Sequence, residues 1–99
     1  METTHILQIE PKARLQIEEI AAYIQENGYP ETAERFALLL FDFAESLVLM
    51  PDKYVFCRKP AFKRWNYRCA TFRNNYIFVY KITYHRVVLK QIIHGKLFK

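Results

Sequence analysis

The sequence predicts an α+β fold with the element order β-α-α-β-β-β, arranged as a single domain over residues 1–99. The first half carries two stretches with apolar residues at helical spacing, and the second half carries three β-rich runs separated by short breaks. Two amphipathic helices joined by a few residues fold back as a hairpin. Neither helix can bury its apolar face alone, so we expect the N-terminal helical hairpin to pack on one face of a mainly antiparallel, twisted four-stranded sheet.

The chain begins with a short strand that leads into the first helix. HILQI (5–9) has the length and composition of a short strand. Pro11 suits the first helical position, where its missing N–H is not needed, and Asn27-Gly28 supplies a left-handed stop. The apolar residues of this helix recur at Ala13, Ile17, Ile20 and Ile24.

The second helix is predicted from Pro30 to the Met50-Pro51 pair. Glu31 favours the positive end of the new helix dipole, and Pro51 disfavours helical backbone at the residue before it. The acidic side chains on the outer faces of both helices are expected to be solvated. The apolar stripe of the second helix is Ala33, Phe36, Ala37, Leu40, Ala44 and Leu47, and the acidic outer positions of the two helices are Glu18, Glu19, Glu26, Glu34 and Glu45.

The second half supplies the sheet. DKYVFCRKPAFKRW contains Pro60 and scattered charge, so we interpret it as an irregular connection with one short extended piece. NYRCATF, NYIFVYKIT and RVVLKQIIH are predicted as strands joined by hairpin turns. Strict alternation in the last strand places Val87, Leu89, Gln91 and Ile93 on one face, and Arg86, Val88, Lys90, Ile92 and His94 on the other. The face away from the helices is expected to be basic and partly aromatic.

Charge is distributed unevenly along the chain. Residues 1–50 hold nine acids and three basic residues, a net of −6, whereas residues 51–99 hold one acid and twelve basic residues, a net of +11. This split favours an acidic partner, such as nucleic acid, for the C-terminal half. The sequence has no apolar run long enough to span a membrane and no secretory signal at METTHILQIE, so a cytoplasmic location is expected.

The two cysteines are predicted to be reduced, partly buried thiols. Cys57 and Cys69 do not form a C-x-x-C pattern, and no His lies close enough in sequence to complete a zinc site. We therefore predict no metal and no cofactor.

The stretch FKRWNYRCATFRNNY (62–76) concentrates cations and aromatic rings without an acid. Arg68 is expected either to contact a target or to form an ion pair with the acidic helices, and Trp65 is expected in the core. Arg68 and His94 are the weak candidates for catalysis, since His94 titrates near neutrality, although a hydrogen-bonding role is expected more often for a lone strand-end His. The candidates for binding a target or nucleic acid are Lys63, Arg64, Arg68, Arg73 and Lys96.

The order and spacing of several segments resemble the RelE/ParE family of toxins from bacterial type II toxin–antitoxin modules, also described as plasmid stabilisation proteins. The resemblance covers nearly the whole chain. It implies a RelE/ParE-like fold and a toxin that a cognate antitoxin holds inactive with its C-terminal segment. The segments that carry the resemblance are Ala13, IEEIAAYI (17–24), Pro30, Ala33, Arg35, Phe36, Leu47, Pro51, Arg68, YIFVYKI (76–82) and IIHGK (92–96).

The family resemblance implies one of two activities. ParE-like members inhibit DNA gyrase, whereas RelE-like members cleave mRNA on the ribosome without a metal, using cations and a proton acceptor. Many RelE-like members have an Arg where this chain has Ile77, and the tail HGKLFK lacks the C-terminal Tyr of the nucleases. These departures place gyrase inhibition ahead of mRNA cleavage. A catalytically empty antitoxin-binding module and a generic nucleic-acid-binding domain are the remaining alternatives.

Overall fold

The computed structural model describes residues 5–73 and 75–94. Strand β1 (Ile6–Ile9) is followed by helices α1 (Pro11–Glu26), α2 (Pro30–Ser46) and the short α3 (Pro60–Lys63), and then by strands β2 (Arg68–Phe72), β3 (Tyr76–Thr83) and β4 (Arg86–His94). The sheet has the order β1-β4-β3-β2, in which β1 runs parallel to β4 and the other neighbours are antiparallel. The predicted α+β fold, with a helical hairpin on a mainly antiparallel four-stranded sheet, is confirmed.

The two long helices form where the sequence marks their ends. Each has a proline at its first turn, where the missing N–H costs no hydrogen bond. Helix α1 ends before Gly28, whose φ of 89° lies in the left-handed region that glycine adopts without a Cβ penalty. Helix α2 ends at Ser46, earlier than predicted, and residues 47–53 form turns and bends instead.

The core lies between the helical hairpin and one face of the sheet. The acidic residues predicted on the outer faces of the helices are all exposed, as expected for a solvated surface. The buried residues that form one apolar cluster are Ala13, Ile17, Leu40, Ala44, Leu47, Ala70, Phe78, Tyr80, Val87, Leu89 and Ile92.

A β-bulge in β4 corrects the predicted alternation of that strand. Val79 is opposite Gln91 and Tyr80 is opposite Leu89, so Lys90 is an extra residue without a partner in β3. The bulge moves Ile92 into the apolar cluster that contains Val87 and Leu89. The sequence predicted that Ile92 and His94 lie on the other face of the sheet from Leu89, and this prediction was wrong. The extra residue of a bulge reverses the face on which the residues after it lie.

The connection between α2 and β2 is more ordered than its sequence suggests. Phe56 forms an antiparallel bridge with Arg68, which is the short extended piece that was predicted, and α3 follows it. Backbone hydrogen bonds from Cys57 N to Tyr67 O (2.9 Å) and from Cys69 N to Val55 O (3.1 Å) hold this connection along the outer edge of β2. We call residues 55–67 the strap.

The strap is cross-linked to β2. Cys57 and Cys69 form a disulfide with a Cα–Cα distance of 5.1 Å, so the prediction of two reduced thiols was wrong. The pairing of residues 55–57 with 67–69 brings the two Cα atoms into the range that a disulfide needs. Cys69 alternates with the buried Ala70 along β2, so the disulfide lies on the sheet face away from the helices.

Candidate functional site

A groove runs between α1 and the C-terminal end of β4. Strand β1 pairs with β4 only as far as Leu89, so the rest of that edge of β4 faces α1. The Gln16 side chain accepts a hydrogen bond of 2.6 Å from the backbone N–H of Ile92 and thereby occupies part of this edge. We call the resulting cavity of about 520 Å³ the α1–β4 groove, and it is lined by Gln16, Glu19, Ile20, Tyr23, Ile24, Tyr76, Ile92 and His94.

The groove combines an apolar floor with a polar rim. Ile20 and Ile92 line it from the helix and from the strand, and Tyr23 stands 70% exposed at its border. Tyr76 and His94, which are opposite each other in β3 and β4, meet edge to face with ring centroids 5.5 Å apart. The bulge is what brings His94 to this side of the sheet. A groove of this composition suits an apolar segment of a protein partner.

Arg68 lies on the helix side of the sheet, at the end of β2 nearest the strap. Its Nη1 donates a 2.5 Å hydrogen bond to the backbone carbonyl of Tyr54 and lies 3.5 Å from that of Asp52. Its guanidinium carbon is 4.2 Å from the centre of the Phe56 ring. Arg68 therefore joins β2 to the residues just before the strap through backbone carbonyl oxygens. The ion pair with the acidic helices, which was the alternative expected from the sequence, is not the contact that its guanidinium makes here. Its contact with a target stays a prediction.

Tyr80 holds the same region from the neighbouring strand. Its buried hydroxyl donates a hydrogen bond to the carbonyl of Pro51, which is also buried. Burial raises the pKa of Tyr80 to about 12, while the nearby Arg68 guanidinium opposes this shift. Tyr80 is therefore a protonated donor at neutral pH, and it fixes the turn that leads from α2 into the strap.

The two weak candidates for catalysis, Arg68 and His94, are not brought together. Arg68 is opposite Tyr80 in β3 and His94 is opposite Tyr76, on the far side of that strand. Four residues along a strand and two strand spacings separate their backbones by roughly 16 Å. The Arg68 side chain is also directed to the Tyr54 carbonyl. Arg68 is therefore directed away from the α1–β4 groove, which His94 lines.

The other predicted binding residues are scattered. Lys63 ends α3 and Arg64 follows it, and both are exposed. Arg73 lies in the turn after β2 with a φ of 54°, and its guanidinium carbon is 5.4 Å from the Phe72 ring centre. Lys96 lies outside the residues that the structure describes. Their roles in binding stay predictions.

The sheet face that was predicted to be basic and partly aromatic carries a cluster of residues that the sequence did not single out. Trp65 is 58% exposed there, so its prediction as a core residue was wrong. Tyr67 has the ammonium groups of Lys81 and Lys90 at 5.5 and 5.4 Å from its ring centre. The alternation of β3 already placed Lys81 on this face, but the bulge and the course of the strap are needed to bring the four residues together.

Residues 5–73 and 75–94 contain neither a metal-binding cluster nor a membrane-spanning helix. Within these ranges no group of His, Cys, Asp or Glu is arranged to hold a metal ion. The same ranges contain no helix that is long and apolar enough to cross a membrane.

Comparisons with known proteins agree with this fold. A chain of the chromosomal ParDE TA system from P. aeruginosa superposes with a TM-score of 0.77 at 14% sequence identity, covering 94% of this chain and 98% of that one. No curated protein sequence matches this chain. This superposition shows that the two chains share one fold. The family model of the ParE toxin of type II toxin–antitoxin systems matches residues 7–96, and the chain belongs to this family.

Proposed function

We propose that this ParE-family toxin arrests bacterial growth by inhibiting DNA gyrase in the cytoplasm, and that a cognate antitoxin neutralises it. The match to the ParE family over residues 7–96 carries the proposal. Two features of the chain add to it. Ile77 stands where RelE-like nucleases often have an Arg, and the Arg68 side chain is directed to the Tyr54 carbonyl, away from the α1–β4 groove that His94 lines.

The α1–β4 groove is the proposed binding site for the antitoxin. Its apolar floor fits the hydrophobic face of an amphipathic segment. The end of β4 beyond Leu89 is not paired with β1, so it can be reached from that edge. The structure of a relative was solved as a ParDE TA system, which supports an antitoxin as the partner of this chain. Tight binding would cover the exposed ring of Tyr23, which borders the groove.

Expression of the chain with and without its neighbouring small open reading frame tests the proposal. Induction of the toxin alone is expected to stop growth, and co-expression of the antitoxin is expected to restore it. In a supercoiling assay, the purified chain is expected to inhibit gyrase, and the antitoxin is expected to relieve the inhibition. Growth arrest with cleaved mRNA in a ribosome toeprint assay, and with unaffected gyrase, would favour the RelE-like alternative.

A catalytically empty binding module gives a different result in the same experiments. It would bind the antitoxin tightly without stopping growth and without changing either gyrase or mRNA. Normal growth in the absence of antitoxin would therefore contradict the toxin proposal, provided that immunoblotting shows the chain at the expected level in the soluble fraction.

Two exposed tyrosines provide a matched test of the groove. Tyr23 borders the groove, and Tyr84, at 91% exposure, lies in the turn between β3 and β4. Tyr23→Glu is expected to weaken antitoxin binding by about tenfold or more, since it places a charge at an apolar contact, whereas Tyr84→Glu is expected to leave affinity within about twofold. Calorimetric titration measures both. Equal losses would place the antitoxin elsewhere.

A further inference from the structure

The sheet face away from the helices carries a shallow pocket of about 420 Å³ that the antitoxin proposal does not use. We call it the Tyr67 pocket. Its walls come from the strap on one side and from β3 and β4 on the other. It is lined by Ala61, Phe62, Trp65, Tyr67, Lys81 and Lys90.

Two lysines converge on one ring in this pocket. The Nζ atoms of Lys81 and Lys90 are 5.5 and 5.4 Å from the centre of the Tyr67 ring, and both side chains are half-buried. Both ammonium groups line one pocket whose walls contain no carboxylate, so their mutual repulsion is not offset there. An anionic group bound between them would remove the cost.

The bulge in β4 contributes directly to this arrangement. Lys90 is the extra residue of the bulge, opposite no residue of β3, and its side chain reaches the Tyr67 ring. Bulges often redirect a side chain at a functional position. Here the bulge places a second cation beside Lys81, at the same ring.

An exposed indole completes the surface. Trp65 lines the pocket and keeps 58% of its surface accessible, although a large aromatic ring gains most from burial. Lys63 and Arg64 precede it in the strap and are also exposed. An aromatic ring beside several cations is the arrangement with which proteins hold single-stranded nucleic acid, since bases stack on the ring and cations meet the phosphates.

We infer that the Tyr67 pocket binds single-stranded nucleic acid, with Trp65 stacking on a base and Lys81 and Lys90 contacting the flanking phosphates. An unpaired base is required, because bases inside a duplex do not expose a face to an indole ring. An acidic protein segment would satisfy the lysines but would leave the indole without a planar partner. The inference goes beyond the proposed inhibition of gyrase and does not depend on it.

Trp65 is the only tryptophan of the chain, and so its fluorescence reports on the pocket directly. Titration of the purified protein with an oligothymidylate of about 20 nucleotides is expected to quench this emission. Anisotropy of a labelled oligonucleotide measures the affinity in parallel. Affinity is expected to fall by about tenfold or more between about 50 and about 200 mM salt, as phosphate contacts require.

Matched double variants separate the pocket from the general charge of the protein. Lys81→Gln with Lys90→Gln is expected to weaken binding by about tenfold or more and to reduce the salt dependence. Lys12→Gln with Arg35→Gln removes the same charge from the exposed surface of the helices and is expected to change affinity by less than about threefold. Trp65→Ala is expected to weaken binding by about fivefold or more. Circular dichroism checks that each variant folds.

Several outcomes would overturn the inference. They are unchanged Trp65 emission on saturation with oligothymidylate, equal losses in the two double variants, and tighter binding of a duplex of the same length. Tighter binding of a polyglutamate peptide would assign the pocket to an acidic protein instead. If the lysine variants fail to fold, the fluorescence titration of the unmodified protein still decides the matter, because it reads the position of the ligand at Trp65.

Discussion

The helical hairpin covers one face of the sheet through apolar packing, whereas the strap covers the other with a four-residue helix, one disulfide and several ring contacts. On the hairpin side, Phe78 has no exposed surface and contacts the Phe43 ring at a centroid distance of 4.9 Å. On the strap side, Val79 is equally buried, but Trp65 and the two lysines of the Tyr67 pocket are not.

This difference shows how one face of a short chain can provide stability while the other face keeps charged and aromatic side chains accessible. Apolar burial contributes in proportion to area, so the hairpin face can provide most of the stability. Of the side chains in the strap only Cys57 is buried, so burial alone does not hold the strap in place. It is fixed instead by a cross-link and by backbone hydrogen bonds, and Arg68 and Tyr80 hold the residues that lead into it. Its cations and its indole can then remain accessible to a partner.

The largest difference between the two faces is expected in the free energy of unfolding, when side chains at two neighbouring positions of β3 are truncated to alanine. Phe78→Ala removes a fully buried ring on the hairpin side and is expected to lower the free energy of unfolding by about 3–5 kcal/mol. Ile77→Ala, at a half-buried position on the other face, is expected to cost about 1–2 kcal/mol. Urea denaturation followed by circular dichroism measures both. Equal costs would mean that the strap side also contributes a full core.

The disulfide is expected to have the next largest effect. It closes a loop between residues 12 positions apart, and its reduction is expected to cost about 2–3 kcal/mol. Reduction by a dithiol should also speed trypsin cleavage in the strap, which contains Arg58, Lys63 and Arg64, before the helices are cut. Since cytosolic thiols are kept reduced, this experiment also shows how the strap behaves in the compartment proposed for the chain.

The control is the variant Cys57→Ser with Cys69→Ser, whose cleavage rate in the strap should match that of the reduced protein and should not respond to the dithiol. A strap that stays resistant to trypsin after full reduction, as verified by thiol titration, would show that its hydrogen bonds hold it without the cross-link.

The sequence predicted a basic and partly aromatic face away from the helices, but it did not predict the disulfide, the bulge or the exposure of Trp65 on that face. Helical and alternating periodicities are local, and they predicted both long helices and all four strands. The pairing of Cys57 with Cys69 depends on the strap following the outer edge of β2, which no local pattern reveals. The bulge at Lys90 lies in a run without a glycine or proline that would mark it. Trp65 was expected in the core on residue type alone, but its neighbours leave it exposed.

The candidate site also depends on contacts that no local sequence pattern reveals. Arg68 was identified from its place in a basic stretch, and its contacts with the Tyr54 carbonyl and the Phe56 ring depend on the fold of the strap. The α1–β4 groove depends on where β1 stops pairing with β4, which is a property of the whole sheet.

Removal of the Tyr80 hydroxyl tests how the turn before the strap is held. Tyr80→Phe leaves the buried Pro51 carbonyl without this donor and is expected to cost about 1–2 kcal/mol at neutral pH. The pKa of Tyr80 is raised to about 12, so in the unmodified protein stability is constant below the ordinary tyrosine pKa near 10 and falls as the pH rises from 10 to 12. This additional loss should be absent from Tyr80→Phe. Urea denaturation across this range measures both proteins. Parallel curves would contradict the raised pKa of the buried hydroxyl, and equal stability of the two proteins at neutral pH would contradict the assigned hydrogen bond.

The smallest effect on stability is expected at Trp65, which was predicted in the core but is exposed. A core tryptophan replaced by alanine loses about 3–5 kcal/mol, whereas Trp65, which is 58% exposed, is expected to lose less than about 1 kcal/mol. Thermal unfolding of Trp65→Ala beside the unmodified protein measures this loss. A cost close to that of Phe78→Ala would place the indole in the interior, and the strap side would then be a second core without an accessible aromatic surface. A small cost, combined with lost binding of single strands, would separate the stabilising face from the binding face at the level of one side chain.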